Sequence, residues 1–246
     1  MQKKNHIGKI EAIQQINKQV YSIEFSSPTL KSINPGQYIS ILCEGLTLRR
    51  PFSVADFDNG VLKVLFKQKG KGTEYISGLK VGDNIEFSAP LGNTFTIDDK
   101  KTLLIGAGIG VAPLFYLSKK LREKGVDTFF AAGFLSKEDI LGEFDFVSTD
   151  DGSFGFKGSI CDYLETLIKD FAPDRIVSCA PNAVLRVISE VAKSHKIDCE
   201  IAMEKVMACG IGICRGCVIE VRRDGKVQNA TVCKDGPVFK GEEVVW

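Results

Sequence analysis

Histidine is nearly missing from this chain: 246 residues carry only His6 and His195, and neither falls in a motif. Acid–base chemistry on a substrate is therefore not expected of this chain. Net charge is nearly missing too, with 32 basic against 31 acidic residues. That balance excludes the electrostatic footprint of a protein that binds nucleic acid or an anionic membrane surface. No apolar run approaches the roughly twenty residues of a membrane-spanning helix. The segment Met1 to Ile7 has lysines but no apolar core behind them, so a secretory leader is not expected and the default location is the cytoplasm. Repeats and low-complexity segments are also lacking. What remains, 44% hydrophobic and 26% charged over 246 residues, predicts a globular chain long enough for two ordinary domains and a small module.

Cysteine is plentiful by contrast. Of eight, four cluster near the C-terminus: Cys209, Cys214 and Cys217 in a C-x4-C-x2-C run, then Cys233 after fifteen further residues. This is the plant-type spacing for a 2Fe–2S cluster. The interleaved Gly210, Gly212 and Gly216 let the backbone turn tightly and aim amides at sulfur. Zinc sites favour paired C-x2-C units, and only Cys214 and Cys217 make one. Redox or structural thiols are the remaining alternative. Cys43, Cys161, Cys179 and Cys199 are scattered through apolar runs, like buried thiols of a reducing compartment.

Residues 1–98 read as short strands, among them Gln37 to Cys43 and Gly60 to Lys67, separated by turn signals such as Asn34-Pro35-Gly36 and Asp58-Asn59-Gly60. They predict a small antiparallel β-barrel. Residues 99–203 alternate strands with helices, predicting an α/β domain with a parallel sheet. Residues 204–246 hold the cysteine loop and a hairpin turned at Asp224-Gly225, which would return Cys233 to the loop. This module is too small for a core of its own and is expected to depend on its cluster.

Two further stretches suit nucleotides. Arg50-Pro51-Phe52-Ser53 follows a strand; Arg50 can pair with a pyrophosphate, Phe52 can pack on a flavin, and Ser53 can bond flavin N5. Leu65, Phe66 and Lys67 end a strand before a Gly72-Thr73 turn whose amides and hydroxyl can hold phosphate, although a solvated hairpin explains the lysines as well. Gly106, Gly108 and Gly110 lie between a strand and a helix, where a dinucleotide phosphate binds, but their G-x-G-x-G spacing departs from the usual fingerprint. Asp150 or Asp151, at a later strand end, can accept ribose hydroxyls or merely form a turn. Cys179, in Cys179-Ala180-Pro181, either faces a nicotinamide or is a buried strand cysteine.

In this order, the Arg-Pro-Phe-Ser strand, the Gly106 to Pro113 loop and Cys179-Ala180-Pro181 resemble the ferredoxin–NADP reductase superfamily. Met207 to Cys217 is similar to the electron-transfer subunits of NAD-dependent (class 1B) dihydroorotate dehydrogenases. The resemblance implies FAD on Arg50 to Ser53, Leu65 to Lys67 and Gly72-Thr73. It implies NAD as co-substrate and a 2Fe–2S cluster on Cys209, Cys214, Cys217 and Cys233. It implies a heterotetramer, two copies of each subunit, with an FMN-containing catalytic subunit that oxidises dihydroorotate in pyrimidine biosynthesis. Phe52 stands where many relatives have tyrosine, and Ala180 where they commonly have glycine. A related reductase subunit serving ferredoxin or a sulfur-compound reductase is the alternative. In either case hydride arrives as an electron pair while the cluster takes single electrons, so FAD belongs between NAD and the cluster. The three modules leave no substrate domain.

Overall fold

The computed structural model describes residues 4–246. The first three, with which the expected 1–98 domain begins, lie outside the described residues.

The N-terminal sheet comprises β1 (Lys4–Gln15), β2 (Val20–Ser26), β3 (Tyr38–Ile41), β4 (Arg50–Ser53), β5 (Asp56–Asp58), β6 (Val61–Lys67) and β7 (Asn84–Leu91). Its order is β4-β3-β7-β1-β2-β6-β5, antiparallel throughout. Period-two alternation drives it. In β6, Leu62, Val64 and Phe66 point inward while the residues between them are partly exposed. One helix interrupts the strands: α1 (Lys71–Ser77) stands where the sequence predicts a Gly-Thr turn. At seven residues it is too short to display a helical period.

The second sheet holds β8 (Thr102–Ala107), β9 (Thr128–Phe134), β10 (Phe146–Thr149), β11 (Phe156–Lys157), β12 (Arg175–Cys179) and β13 (Asp198–Ala202), all parallel. Helix α2 (Ala112–Glu123) packs Leu114, Leu117 and Leu121 onto one face with Leu104 and Val177. Helices α3 (Leu164–Phe171) and α4 (Asn182–Ser194) cover the other face, against Leu103, Ile105 and Ile176. The expected architecture, an antiparallel barrel-like sheet followed by a parallel α/β unit, is the one observed.

The C-terminal segment forms the expected small module and also joins the α/β unit. The hairpin of β14 (Val218–Arg223) and β15 (Lys226–Thr231) turns at Asp224-Gly225 as expected. The chain then adds β16 (Val238–Lys240) to the parallel sheet, antiparallel to β13. Its buried residues, including Ile219, Val232 and Phe239, share one continuous core with Ile201 and Leu185 of the α/β unit. A segment too small for its own core thus borrows one.

The two sheets are held rigidly. On α2, Tyr116 donates to the Ile33 carbonyl (2.9 Å) and Lys119 pairs with Asp56 (3.0 Å) and Asp58 (3.3 Å). At the linker, Arg175, only 3% exposed, bonds both Asp98 oxygens (2.6 and 3.0 Å) and reaches Asp198 (3.2 Å). Burial raises the pKa of both carboxyls, but the hydrogen bonds and charges of Arg175 and Lys100 outweigh it and hold both below the ordinary range. A depressed carboxylate stabilises the fold above its unfolded pKa, and that contribution disappears as pH falls through the lower folded value. Arg175→Met should therefore destabilise the chain by about 3 kcal/mol at neutral pH. The gap from the unsubstituted protein should shrink below about pH 4. Urea midpoints measured across pH test both expectations.

Candidate active site

A cleft of about 570 Å³ opens where the barrel meets the carboxyl edge of the parallel sheet. Open α/β sheets bind ligands at this edge. Pro51, Phe52, Ser53, Leu65, Phe66 and Lys67 line its barrel side. Phe52 sits against Phe66 with ring centroids 5.6 Å apart, so this wall is aromatic. Arg50 is just off the cleft, its side chain laid across Gly72. A Cβ on Gly72 would lie 2.3 Å from Arg50 Nε. The glycine therefore leaves the passage the guanidinium occupies. Thr73 is less available than its sequence context implies. Its hydroxyl accepts from the Lys69 and Gly70 amides (2.8 and 3.1 Å) and donates to the Gly70 carbonyl (2.9 Å), so it builds the loop that supports Arg50.

On the other side, β8 runs into a single 3-10 turn, Gly108–Val111, and then α2. The three glycines serve three purposes. Gly106 is not on the cleft: a Cβ there would meet Val111 Cγ1 at 2.6 Å. Gly108 lines the cleft at φ +53, a left-handed conformation that glycine adopts freely. Gly110 also lines it, and its Cβ would lie 2.2 Å from the Cys179 carbonyl. The unusual G-x-G-x-G spacing thus lets the loop rest on the end of β12.

Asp150 lines the cleft. Asp151 instead accepts from the amide and hydroxyl of Ser153 (2.9 and 2.6 Å), as a turn-forming aspartate does. Two residues before Asp150, the fully buried Ser148 hydroxyl has no hydrogen-bond partner among the described residues. Cys179 lines the cleft between the two sheets, and burial, helped by the Glu204 carboxylate, pushes its thiol up to about 12. At neutral pH it is an uncharged group and not a nucleophile.

The third element is the cysteine loop. Gly210 and Gly212 adopt φ +64 and +81, and Arg215 joins them at +58. These turns bring backbone amides onto all four sulfurs. Gly212 N–H reaches Cys233 Sγ at 3.0 Å, and Cys233 N–H reaches Cys217 Sγ at 3.4 Å. Ile211 and Cys214 amides serve Cys209 Sγ (3.5 and 3.4 Å), and Gly216 serves Cys214 Sγ (3.4 Å). Burial opposes thiolate formation at Cys209, but the amides overcome it and lower that pKa; Cys233, buried beside Cys217, is raised. All eight cysteines are free thiols. The C-x4-C-x2-C spacing with Cys233 brought back beside it, and amides aimed at sulfur, suit a 2Fe–2S cluster better than the paired C-x2-C units of zinc sites.

Two residues that sequence reasoning passed over join these parts. Tyr38, buried in β3, lines the cleft, and its hydroxyl lies 2.9 Å from the Cys233 carbonyl and 3.1 Å from that of Gly210. Burial, then the neighbouring cysteines, raise its pKa well above that of an ordinary phenol. Asn93 exchanges hydrogen bonds with Val238 (2.8 and 2.9 Å) and donates to the Asp235 carbonyl (3.3 Å). Both look like ordinary strand and turn residues in the sequence. Trp246 is not on the cleft.

Comparison with known proteins agrees with this reading of the parts. Residues 8–95 match the oxidoreductase FAD-binding domain family. Residues 204–245 match the iron–sulfur cluster binding domain of dihydroorotate dehydrogenase B. The dihydroorotate dehydrogenase B (NAD(+)) electron transfer subunit of Caldanaerobacter subterraneus subsp. tengcongensis is 37% identical over 94% of both chains. Its counterpart from Enterococcus faecalis is 35% identical over the full length of both. Among solved structures, that of an NADH-dependent reduced ferredoxin-NADP oxidoreductase superposes with a TM-score of 0.86 at 29% identity, covering 97% of this chain and 90% of that one. A ferredoxin reductase of carbazole 1,9a-dioxygenase, at 18% identity, shares the fold with a TM-score of 0.70 over 80% of this chain and 67% of that one. Identity of 35–37% over essentially whole chains, with a cluster-binding segment of its own kind, makes this chain a member of the family of dihydroorotate dehydrogenase B electron transfer subunits.

Proposed function

We propose that this chain carries electrons from the FMN of a dihydroorotate-oxidising catalytic subunit to NAD+, through a 2Fe–2S cluster and FAD, in pyrimidine biosynthesis. The observation that carries the reading is spatial. One cleft joins the Arg50 to Ser53 strand to the Gly108–Gly110 loop, and Tyr38 ties that cleft to the four-cysteine loop. Bound there, FAD would supply the exchange between an electron pair and single electrons that neither NAD nor the cluster makes alone.

The residues then divide the work. Arg50, held over Gly72, supplies charge for the flavin pyrophosphate. Phe52 and Phe66 form an apolar wall, and Ser53 offers a hydroxyl at flavin N5. The backbone of Gly108 and Gly110, ahead of α2, receives the dinucleotide phosphates. Asp150 accepts ribose hydroxyls and disfavours a 2′-phosphate. Cys179 contributes shape, because its thiol stays neutral. Cys209, Cys214, Cys217 and Cys233 hold the cluster.

The electron source is a separate subunit, in a heterotetramer with two copies of each. Its docking face is the cysteine loop, where Ile213 is 76% exposed and Ile211 and Arg215 flank it. Unpaired thiols throughout fit work in the reducing cytoplasm. The likeness to the ferredoxin-linked oxidoreductase supports a second reading, with ferredoxin as the partner.

Three experiments test these roles. Anaerobically purified chain should show flavin bands and a bleachable iron–sulfur shoulder, and should couple dihydroorotate oxidation to NAD+ only when the catalytic subunit is added. A colourless chain overturns the proposal, as does full activity without the partner; turnover with reduced ferredoxin alone selects the second reading. Cys214→Ala should lose the iron and the shoulder while keeping the flavin spectrum and NADH oxidation by an artificial two-electron acceptor. Asp150→Asn should raise the KM for NADH by about tenfold and narrow the preference over NADPH, measured with the same acceptor.

A further inference from the structure

Tyr38 belongs to the barrel, yet its polar atom belongs to the cysteine loop. Its backbone pairs with Ser53 on one side and Leu91 on the other, and its ring lines the cleft. The side chain is 2% exposed. Its hydroxyl has one proton and two acceptors, the carbonyls of Gly210 and Cys233. These carbonyls stand at opposite ends of the cysteine pattern, one beside Cys209 and the other on Cys233 itself. One side chain thus closes the loop at both ends and fixes it to the strand next to Ser53.

The surroundings leave the ring little freedom. A Cβ on Gly92 would meet Tyr38 Cε1 at 3.0 Å and Pro237 Cδ at 2.6 Å, so barrel and C-terminal segment pack closely at this point. Gly212, whose amide gives the shortest contact to a cysteine sulfur (3.0 Å, to Cys233), lies two residues beyond Gly210. Moving the Gly210 and Cys233 carbonyls would disturb that contact, and hydrogen bonds to sulfur are among the levers that set a cluster's potential.

We propose that Tyr38 is a positioning residue for electron passage between flavin and cluster. Its ring packs between the Ser53 strand and the cysteine loop. Its hydroxyl fixes the loop conformation from which the amides of Ile211 and Gly212 reach sulfur. Tyr38 is neither oxidised nor reduced, and it passes no proton. The proposal rests on the reading that FAD and a 2Fe–2S cluster occupy the two sites.

The test is Tyr38→Phe in the full chain, assembled with its partner subunit, with Asn93→Ala as a control that loosens the same junction through a different contact. Iron and flavin content of the unsubstituted protein are measured first; if either is missing, it is the underlying functional reading that fails. Tyr38→Phe should retain both cofactors and the KM for NADH. It should shift the g-values and midpoint potential of the reduced cluster, and slow cluster reduction by NADH in stopped-flow about tenfold. Asn93→Ala keeps the backbone N–H bond to Gly236 and the β13–β16 pairing, so the loop stays tethered to both sheets; it should lower the melting temperature while leaving g-values and rate near those of the unsubstituted protein. Unchanged g-values, potential and rate in Tyr38→Phe would overturn the proposal. Loss of iron from that variant would also overturn it, making Tyr38 a folding residue. Equal spectroscopic changes in Asn93→Ala would do the same, because then any loosening of the junction suffices.

Discussion

The last forty or so residues are pinned to both sheets at once. The Asn93 amide N–H bonds the Gly236 carbonyl at 2.7 Å, and its side chain bonds Val238 in both directions. Val238 itself begins the strand that the segment adds to the parallel sheet. Met203 N–H, at the end of β13, donates to the Pro237 carbonyl (2.8 Å). A tether at one end alone would leave the cysteine loop swinging on a hinge. Tethered to both sheets, with its core merged into that of the α/β unit, the loop has a fixed place relative to the barrel. Separate redox groups need this, because passage between them depends on a separation that does not fluctuate.

The same constraint explains where glycine is indispensable. At Gly72, Gly92 and Gly110 a Cβ would strike an Arg50 side chain, a Pro237 ring and a Cys179 carbonyl, each from a different element of the fold. These are the points at which strand end, loop and module approach within backbone contact. Gly72 and Gly110 thereby secure the two walls of the cleft, and Gly92 secures the junction behind it. Several polar groups nearby are firmly held. Thr73 is committed to its loop, Asp151 to its turn and Arg49 to Glu86. Lys67, Lys69 and Asp150 are charged groups that line the cleft, and Arg50 stands just off it.

Much of this was legible before any coordinates. Alternation in Val61–Lys67, the strand–helix rhythm from Thr102 to Ala202 and the Asp224-Gly225 turn are local signals, and locality is what a sequence displays. The cysteine spacing is legible because a cluster imposes it on a short loop. Three features were out of reach for one physical reason: each is decided by distant chain. Helix α1 has seven residues and is placed by packing Ile76 into the barrel core. β16 is a three-residue strand that exists because β13 offers an unpaired edge. Tyr38 meets Cys233 across 195 positions, and nothing near it in sequence distinguishes it from any other strand tyrosine. Gly106 and Thr73 have structural work the sequence did not display: one makes room for Val111 and the other completes its own turn.

The four thiols also have an orientation. Cys214 is exposed and Cys209 partly so, whereas Cys217 and Cys233 are buried. The amide bonds follow the same grouping, Cys214 to Cys209 and Cys233 to Cys217. A cluster on these ligands would present one pair outward, beside the exposed Ile213, and the other inward, beside Tyr38 and the cleft. An outward pair in water alone would gain nothing from flanking isoleucines, which lose by exposure what a docked protein surface would return. The inward pair has the opposite need, since a rigid, dry contact with the barrel keeps its geometry constant. On that arrangement burial would separate the two exchanges, hydride on the cleft side and single electrons on the exposed side, because the inward pair is shielded by Tyr38 and the outward pair is not.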